Sequence, residues 1–201
     1  MDNRKDLSTI NCIATGLLAI FFTVPVHEFF HLLTHIIYGS QLEYYSAGAV
    51  NAYANFEGLS VFNIIMLAGG SASILNVLVG AILLMIVLKT TMGPLMRVFM
   101  IQLTGAHLSV GIGYFMIGGF FGAGDWGNVY DRLADMPDVV TALRIILSIL
   151  GGVGIVGLFF LLNYLSYYFI KDSTNKKERL YVAFRLHLLV LLIGYPVVRH
   201  R

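Results

Sequence analysis

Long apolar runs separated by short polar stretches constrain the fold of this 201-residue chain more than any other feature. An apolar stretch of about 20 residues can cross the roughly 30 Å hydrocarbon core of a bilayer as a helix. Hydrophobic residues make up 58 % of the chain and charged residues 12 %, whereas a soluble domain has about 45–50 % and about 25 %. The sequence therefore predicts an all-α polytopic membrane protein. About five transmembrane helices are expected, over about 7–38, 60–88, 94–121, 139–170 and 180–198.

The first apolar run contains His27-Glu28-Phe29-Phe30-His31, an H-E-x-x-H motif. Two histidines four residues apart on a helix lie on one face, so both imidazoles can reach one zinc ion. Glu28 then lies where its carboxylate can accept a proton from a zinc-bound water. Ionisable side chains inside a membrane helix are costly and rare, and random placement gives this pattern in roughly 0.003 to 0.004 of such chains. The motif therefore predicts a zinc hydrolase.

Other interpretations of the motif remain open. The histidines could line a path for metal transport, or they could hold a metal or haem that has no hydrolytic role. A catalytically silent protein that only binds a partner is a further alternative. A transporter could use His27 and His31 without a general base, so these interpretations differ from hydrolysis in what they require of Glu28.

A catalytic zinc ion needs a third protein ligand and an open position for water. The single cysteine, Cys12, excludes a cysteine-based site. His35 follows on the same helix, where positions i, i+4 and i+8 drift around the axis and cannot readily close a tetrahedral face. His107 lies roughly 27 Å before Asp125 along a helix, which would place it too deep. Asp125, bracketed by glycines at the end of the third run, is the favoured third ligand.

The basic residues predict which side of the membrane each loop faces. If five runs alternate, the Lys and Arg residues within 4–5, 89–97 and 171–179 fall on one side, whereas 40–58 contains none. The positive-inside rule then places the N-terminus in the cytoplasm and the metal site in the outer half of the bilayer. A prokaryotic cell membrane is the expected location. Arg199 and Arg201 would fall on the wrong side, so the last run could instead lie on the membrane surface.

Three further segments are candidates for supporting the site. Residues 40–58 are polar and aromatic, which fits an interfacial hairpin, a re-entrant loop or an ordinary interfacial loop. The stretch Ala68-Gly69-Gly70 lies in the second run, where small residues allow helices to approach closely. Asn76 is costly in lipid and is expected to face a partner helix.

With these motifs, the chain resembles the site-2 protease family of intramembrane zinc metalloproteases over about 7–128. That family has one helix with H-E-x-x-H, a second with an Ala-Gly-Pro-type motif followed by Asn, and a third that ends in a Leu-Asp-Gly-type motif. The chain departs from this pattern, because Gly70 replaces the proline and Gly-Asp-Trp replaces Leu-Asp-Gly. The matching residues here are His27, Glu28 and His31, then Ala68-Gly69-Gly70, then Gly124-Asp125-Trp126.

The resemblance implies a three-helix metalloprotease core over 1–128 and leaves the two apolar segments of 129–201 unexplained. It implies Zn²⁺ as cofactor, another protein's membrane helix as substrate and a strand edge for that substrate within 40–58. The lipid bilayer is the other expected partner, and the short basic clusters give no sign of nucleic acid binding. The expected site consists of the ligands His27, His31 and Asp125, the base Glu28, and His35, Gly69, Gly70 and Asn76 in support or substrate binding.

Overall fold

The computed structural model describes residues 9–170 and 175–183, and these residues are mostly helical. A single two-stranded sheet accompanies the helices in this part of the chain. In chain order the elements are α1 (Thr9–Ile37), β1 (Gln41–Ser46), β2 (Ala49–Tyr53), α2 (Val61–Ile65), a π-helical turn (Met66–Gly70), α3 (Ser71–Lys89), α4 (Pro94–Phe121), α5 (Asp125–Arg132), α6 (Pro137–Ser166), a 3₁₀ turn (Tyr167–Phe169) and α7 (Lys176–Ala183).

Four helical segments of the described chain are long and apolar enough to cross a membrane. The ends of these segments lie within three residues of the ends of the first four predicted runs. The fifth predicted run, 180–198, falls mainly outside the described residues, which include only its start, in α7. The four segments are Ile10–Ile37, Val61–Lys89, Pro94–Phe121 and Pro137–Phe169.

The outer surface of α6 is apolar over most of its length. Val153, Phe159 and Phe160 each expose between 64 and 68 % of their surface. Only 17 % of the most apolar 18-residue stretch of Pro137–Phe169 is buried. Soluble monomers rarely expose contiguous apolar surfaces of this kind. Burial of such side chains in lipid would stabilise each by about 1.5–3 kcal/mol relative to water. The exposed surface of α6 therefore supports a bilayer as the environment.

Residues 41–53 form a β-hairpin, one of the alternatives that the sequence left open for this segment. Strands β1 and β2 are antiparallel, with Gln41 opposite Tyr53 and Ser46 opposite Ala49. A bulge interrupts the register between Leu42 and Tyr44. All six residues of β1 are exposed, so both faces of this strand are uncovered.

The contacts divide the chain into two compact units. In its described part, the first unit contains 9–23, 80–106, 157–170 and 175–183, and its core consists of Cys12, Val87, Val98, Ile101, Leu165, Phe169 and Val182. The second unit contains 24–79 and 107–156, and its core consists of Ile64, Trp126, Val129, Tyr130, Leu133 and Leu147. Every candidate site residue belongs to the second unit.

Candidate metal site

Helix α1 brings the two histidines of the H-E-x-x-H motif together. His27 and His31 are one turn apart, and the centroids of their rings are 4.9 Å apart. His27 is 4 % exposed, and the His31 side chain is 13 % exposed. A buried and a partly buried imidazole that face the same point form the start of a metal site, since such groups need polar partners inside the protein.

Asp125 supplies the third group at this point. Its Oδ2 atom lies 3.1 Å from Nε2 of His27 and 3.2 Å from Nε2 of His31. Zinc bonds of about 2.0–2.1 Å in a tetrahedron would place neighbouring ligand atoms about 3.3 Å apart. Among the described residues, these three side chains form a group that could hold a metal ion, with all ligand atoms within 4.8 Å of one another.

A turn with left-handed backbone conformation directs Asp125 toward the histidines. Gly124 precedes α5 with φ 67°, a conformation that glycine adopts without steric cost. Asp125 is then the first residue of α5, where the positive end of the helix dipole favours a carboxylate. A β-carbon at Gly124 would lie 3.1 Å from the ring of Tyr114, so this turn is also closely packed.

The carboxyl group of Asp125 is ionised at neutral pH. Burial by itself would raise the pKa of this group, but hydrogen bonds from His27 and His31 outweigh burial and lower the pKa to about 2. Metal binding requires the deprotonated form of a carboxyl ligand. Asp125 is therefore already in the form that binds a cation.

The backbone of Asp125 also packs against the break between α2 and α3. The π-helical turn Met66–Gly70 lies in this break, and Gly69 has φ 153°. A β-carbon at Gly69 would lie 2.5 Å from the carbonyl oxygen of Asp125, and one at Gly70 would lie 3.1 Å from the indole of Trp126. Both glycines thus allow the α5 turn to approach closely, and π-helical turns occur frequently at functional sites.

Gly69→Ala is expected to displace Asp125 and weaken metal binding by about 10–100-fold, as do changes to other groups that orient metal ligands. The added carbon would collide with backbone, which cannot rotate away as a side chain can. Metal titration can be followed by the fluorescence of Trp126, the single tryptophan. Gly113→Ala is the matched control, because a β-carbon there meets nothing within 4 Å. Wild-type affinity in Gly69→Ala would show that this contact does not position the ligand.

Asn76 lies on the far side of His27 from Asp125. Its Nδ2 atom is 2.8 Å from Nδ1 of His27 and 2.9 Å from the carbonyl oxygen of Ala72. Its Oδ1 atom is 2.7 Å from Nδ1 of His107. Asn76 and His107 are 0 % and 3 % exposed. The side chain of Asn76 therefore connects His27 to a second buried histidine.

From its depth along α4, His107 was not expected to be the third ligand of a metal held by His27 and His31. His107 is not one of the three grouped side chains, but one amide separates it from His27. The sequence gives only the distance from His107 to Asp125 along α4. The relevant neighbour is His27, which lies on another helix, α1. The signal that could have revealed this arrangement is the rarity of both Asn and His inside a membrane helix.

Sequence reasoning also missed Tyr114. Its ring stacks on the imidazole of His27 with centroids 4.9 Å apart and planes 16° apart. Tyr114 follows His107 by seven residues, two helical turns, so both face the same side of α4. No motif marks Tyr114, because tyrosine is common in membrane helices.

Glu28 and His35 occupy different places relative to the group. Glu28 follows His27 directly in α1 and is half-buried. His35 lies outside the group, with Nδ1 3.1 Å from the hydroxyl of Ser40 just before the hairpin. The geometry therefore gives His35 a contact with the start of the hairpin segment.

The three grouped side chains present two imidazole nitrogens and one carboxylate oxygen, which are suitable ligands for a divalent metal ion such as zinc. Tyr114 stacks on His27, and the half-buried Glu28 follows His27 in the chain. Comparisons of the chain with models of protein families, with characterised proteins and with solved structures find no match. The function is therefore inferred from the site.

Proposed function

We propose that this chain is an intramembrane zinc metalloprotease, similar to the site-2 protease family, that hydrolyses a peptide bond in or near a transmembrane segment of another protein. The observation that carries the proposal is the grouping of His27, His31 and Asp125, with Glu28 beside the first of them in the chain. Both histidines project from a helix that is long and apolar enough to span a membrane. Ionisable residues at such positions indicate function.

The residues present fit zinc. Two histidines and one carboxylate are the protein ligands of several zinc hydrolases, and they leave one position of a tetrahedron open. When bound, zinc would lower the pKa of water toward 7 and polarise the carbonyl of the scissile bond. His27, His31 and Asp125 would hold the ion, since Oδ2 of Asp125 already lies 3.1 Å and 3.2 Å from the two Nε2 atoms, close to the separation that a tetrahedral site needs.

Glu28 acts as the general base and then as the general acid in this proposal. Its carboxylate accepts a proton from the attacking water and passes it to the nitrogen of the leaving amine. The C–N bond breaks, a C–O bond forms and one water is consumed. Tyr114, stacked on His27, limits the movement of that imidazole.

The substrate is proposed to enter as an extended segment of another membrane protein. A peptide bond inside a helix is shielded, so the substrate helix must unwind locally before it can be cleaved. The hairpin of 41–53 has an uncovered first strand, and an exposed strand edge can pair with an extended peptide. Tyr44, Tyr45 and Tyr53 are exposed on this hairpin and would suit the membrane interface.

The orientation proposed from the basic residues places the N-terminus in the cytoplasm and the metal group in the outer half of the bilayer. Lys89 and Arg97 flank the connection between α3 and α4 and would face the cytoplasm with the N-terminal basic residues. The hairpin, with no Lys or Arg in 41–53, would face the opposite side.

Metal removal tests this function. Purified protein in lipid nanodiscs is expected to contain about one zinc ion per chain and to cleave a fused test transmembrane helix. A chelator should abolish cleavage, and added Zn²⁺ should restore it, because the proposed ligands bind metal reversibly. Cleavage that persists after complete metal removal would contradict the proposal. Zinc uptake by proteoliposomes, with no cleavage of any test helix, would instead favour transport.

A further inference from the structure

The side chains of His107, Asn76 and His27 form a continuous buried hydrogen-bonded series. It ends at His27, which is one of the three proposed metal ligands with His31 and Asp125. The two links measure 2.7 Å and 2.8 Å, and each of the three residues is at most 4 % exposed. A buried polar chain within apolar helices is costly unless each member is paired. The arrangement therefore calls for a role beyond packing.

In the absence of metal, the hydrogen bonds define which atom donates and which accepts at each link between His107, Asn76 and His27. The NH₂ group of Asn76 donates to the Ala72 carbonyl and to Nδ1 of His27, so the proton of neutral His27 is on Nε2. That Nε2–H donates to Asp125. At the other end, Nδ1–H of His107 donates to Oδ1 of Asn76. Every polar atom named here has a partner.

A metal ion held by His27, His31 and Asp125 would require donor and acceptor to be exchanged at each of these hydrogen bonds. Nε2 of His27 must then offer a lone pair to the metal, so the proton of the neutral imidazole moves to Nδ1. Nδ1–H needs an acceptor, and metal-bound histidines almost always donate this proton to a neighbouring oxygen. Asn76 can provide that oxygen only by turning its amide by about 180°, which exchanges its oxygen and nitrogen positions.

We propose that Asn76 and His107 are positioning residues that set the tautomer and orientation of His27 by this turn of the amide. After the turn, Oδ1 of Asn76 accepts from His27, and the NH₂ group donates to Nδ1 of His107. His107 is needed because its Nδ1 atom can donate to Asn76 when metal is absent and accept from Asn76 when metal is bound. The turn gives up the hydrogen bond to Ala72, so the bond to His107 must hold the amide when metal is bound. The inference rests on the proposed metal site.

The test is the affinity for Co²⁺, with the visible spectrum of the bound ion as a report of ligand geometry. Asn76→Leu is expected to bind Co²⁺ about 10–100-fold more weakly and with an altered spectrum, the loss typical of outer partners of metal-bound histidines. Asn76→Asp should bind at least as tightly as the wild type, since a carboxylate accepts from His27 without turning. Equal weakening in both variants would indicate loss of packing alone and would overturn the proposal.

His107 provides a second, independent pair of variants. His107→Phe keeps a ring but no acceptor, and is expected to weaken Co²⁺ binding by about tenfold or more. His107→Asn should restore most of the affinity, because its amide oxygen can lie near the position of the imidazole Nδ1. Thr104→Val is the matched control, a fully buried polar residue of the same helix whose hydroxyl bonds to the Met100 carbonyl. Wild-type affinity in His107→Phe would overturn the proposal.

The outcomes separate this inference from the proposed function. A protein that binds Co²⁺ with the predicted order of affinities but cleaves no helix would contradict proteolysis and leave the role of Asn76 and His107 intact. Cleavage that tolerates Asn76→Leu and His107→Phe, with unchanged Co²⁺ affinity, would contradict the positioning role alone.

Discussion

Replacing Glu28 with glutamine is expected to reduce cleavage of a test transmembrane helix by about 10²–10⁴-fold while zinc content stays at the wild-type level. Glutamine has nearly the same shape as glutamate but cannot accept the proton of the attacking water. His27, His31 and Asp125 keep their positions, because the substitution does not alter a ligand. The measurement is the initial cleavage rate in nanodiscs, with zinc counted by elemental analysis of the same sample.

Glu57→Gln is the matched control for this prediction. Glu57 is an exposed glutamate between the hairpin and α2, so the same chemical change there should leave cleavage within about twofold of the wild type, as for most surface substitutions. Unchanged cleavage in Glu28→Gln would exclude Glu28 as the general base. Loss of zinc in that variant would show that Glu28 supports the ligands and does not act only on protons.

The pairing of His27 and His31 could be predicted from the sequence because it depends only on the period of a helix. Residues four apart lie on one face of any α-helix, and the surrounding apolar run makes a helix the only suitable form of that segment in lipid. The four long helices could be predicted for the same reason, since their lengths follow from bilayer thickness and a local count of apolar residues.

Asp125 was a less direct prediction, because 94 residues of sequence separate it from His31. It followed from the order of the apolar runs and from the rule that alternate loops lie on the same side. The prediction named the residue but could not give its geometry. The left-handed turn at Gly124 and the contact of Gly69 with the Asp125 backbone depend on how two distant segments pack.

The contacts of His107 and Tyr114 could not be predicted because they depend on the neighbours of α4 and not on spacing within it. An estimate along one helix axis cannot show which side chain of another helix lies alongside. The hairpin remained one of several options for a related reason. Its polar and aromatic composition fits any structure at the membrane interface, and its register includes a bulge between Leu42 and Tyr44 that no local pattern encodes.

Asp125→Ala is expected to lower zinc affinity by more than about 100-fold and to abolish cleavage with it. Changes to the outer partners of metal-bound histidines alone cost about 10–100-fold, and this substitution removes a ligand. The substitution also leaves Nε2 of His27 and of His31 without the carboxylate that each contacts in the structure. The measurement is competition for Zn²⁺ against a chelator of known affinity, with the fluorescence of Trp126 as a second readout.

Asp131→Asn is the matched control, because Asp131 is an exposed carboxylate on the same short helix, α5, and should not affect metal binding. Full zinc occupancy in Asp125→Ala would show that another group completes the site. His107 would then become the next candidate, since Asn76 alone separates it from His27. If His107 is that group, the double variant Asp125→Ala with His107→Phe should lose the zinc that Asp125→Ala retains.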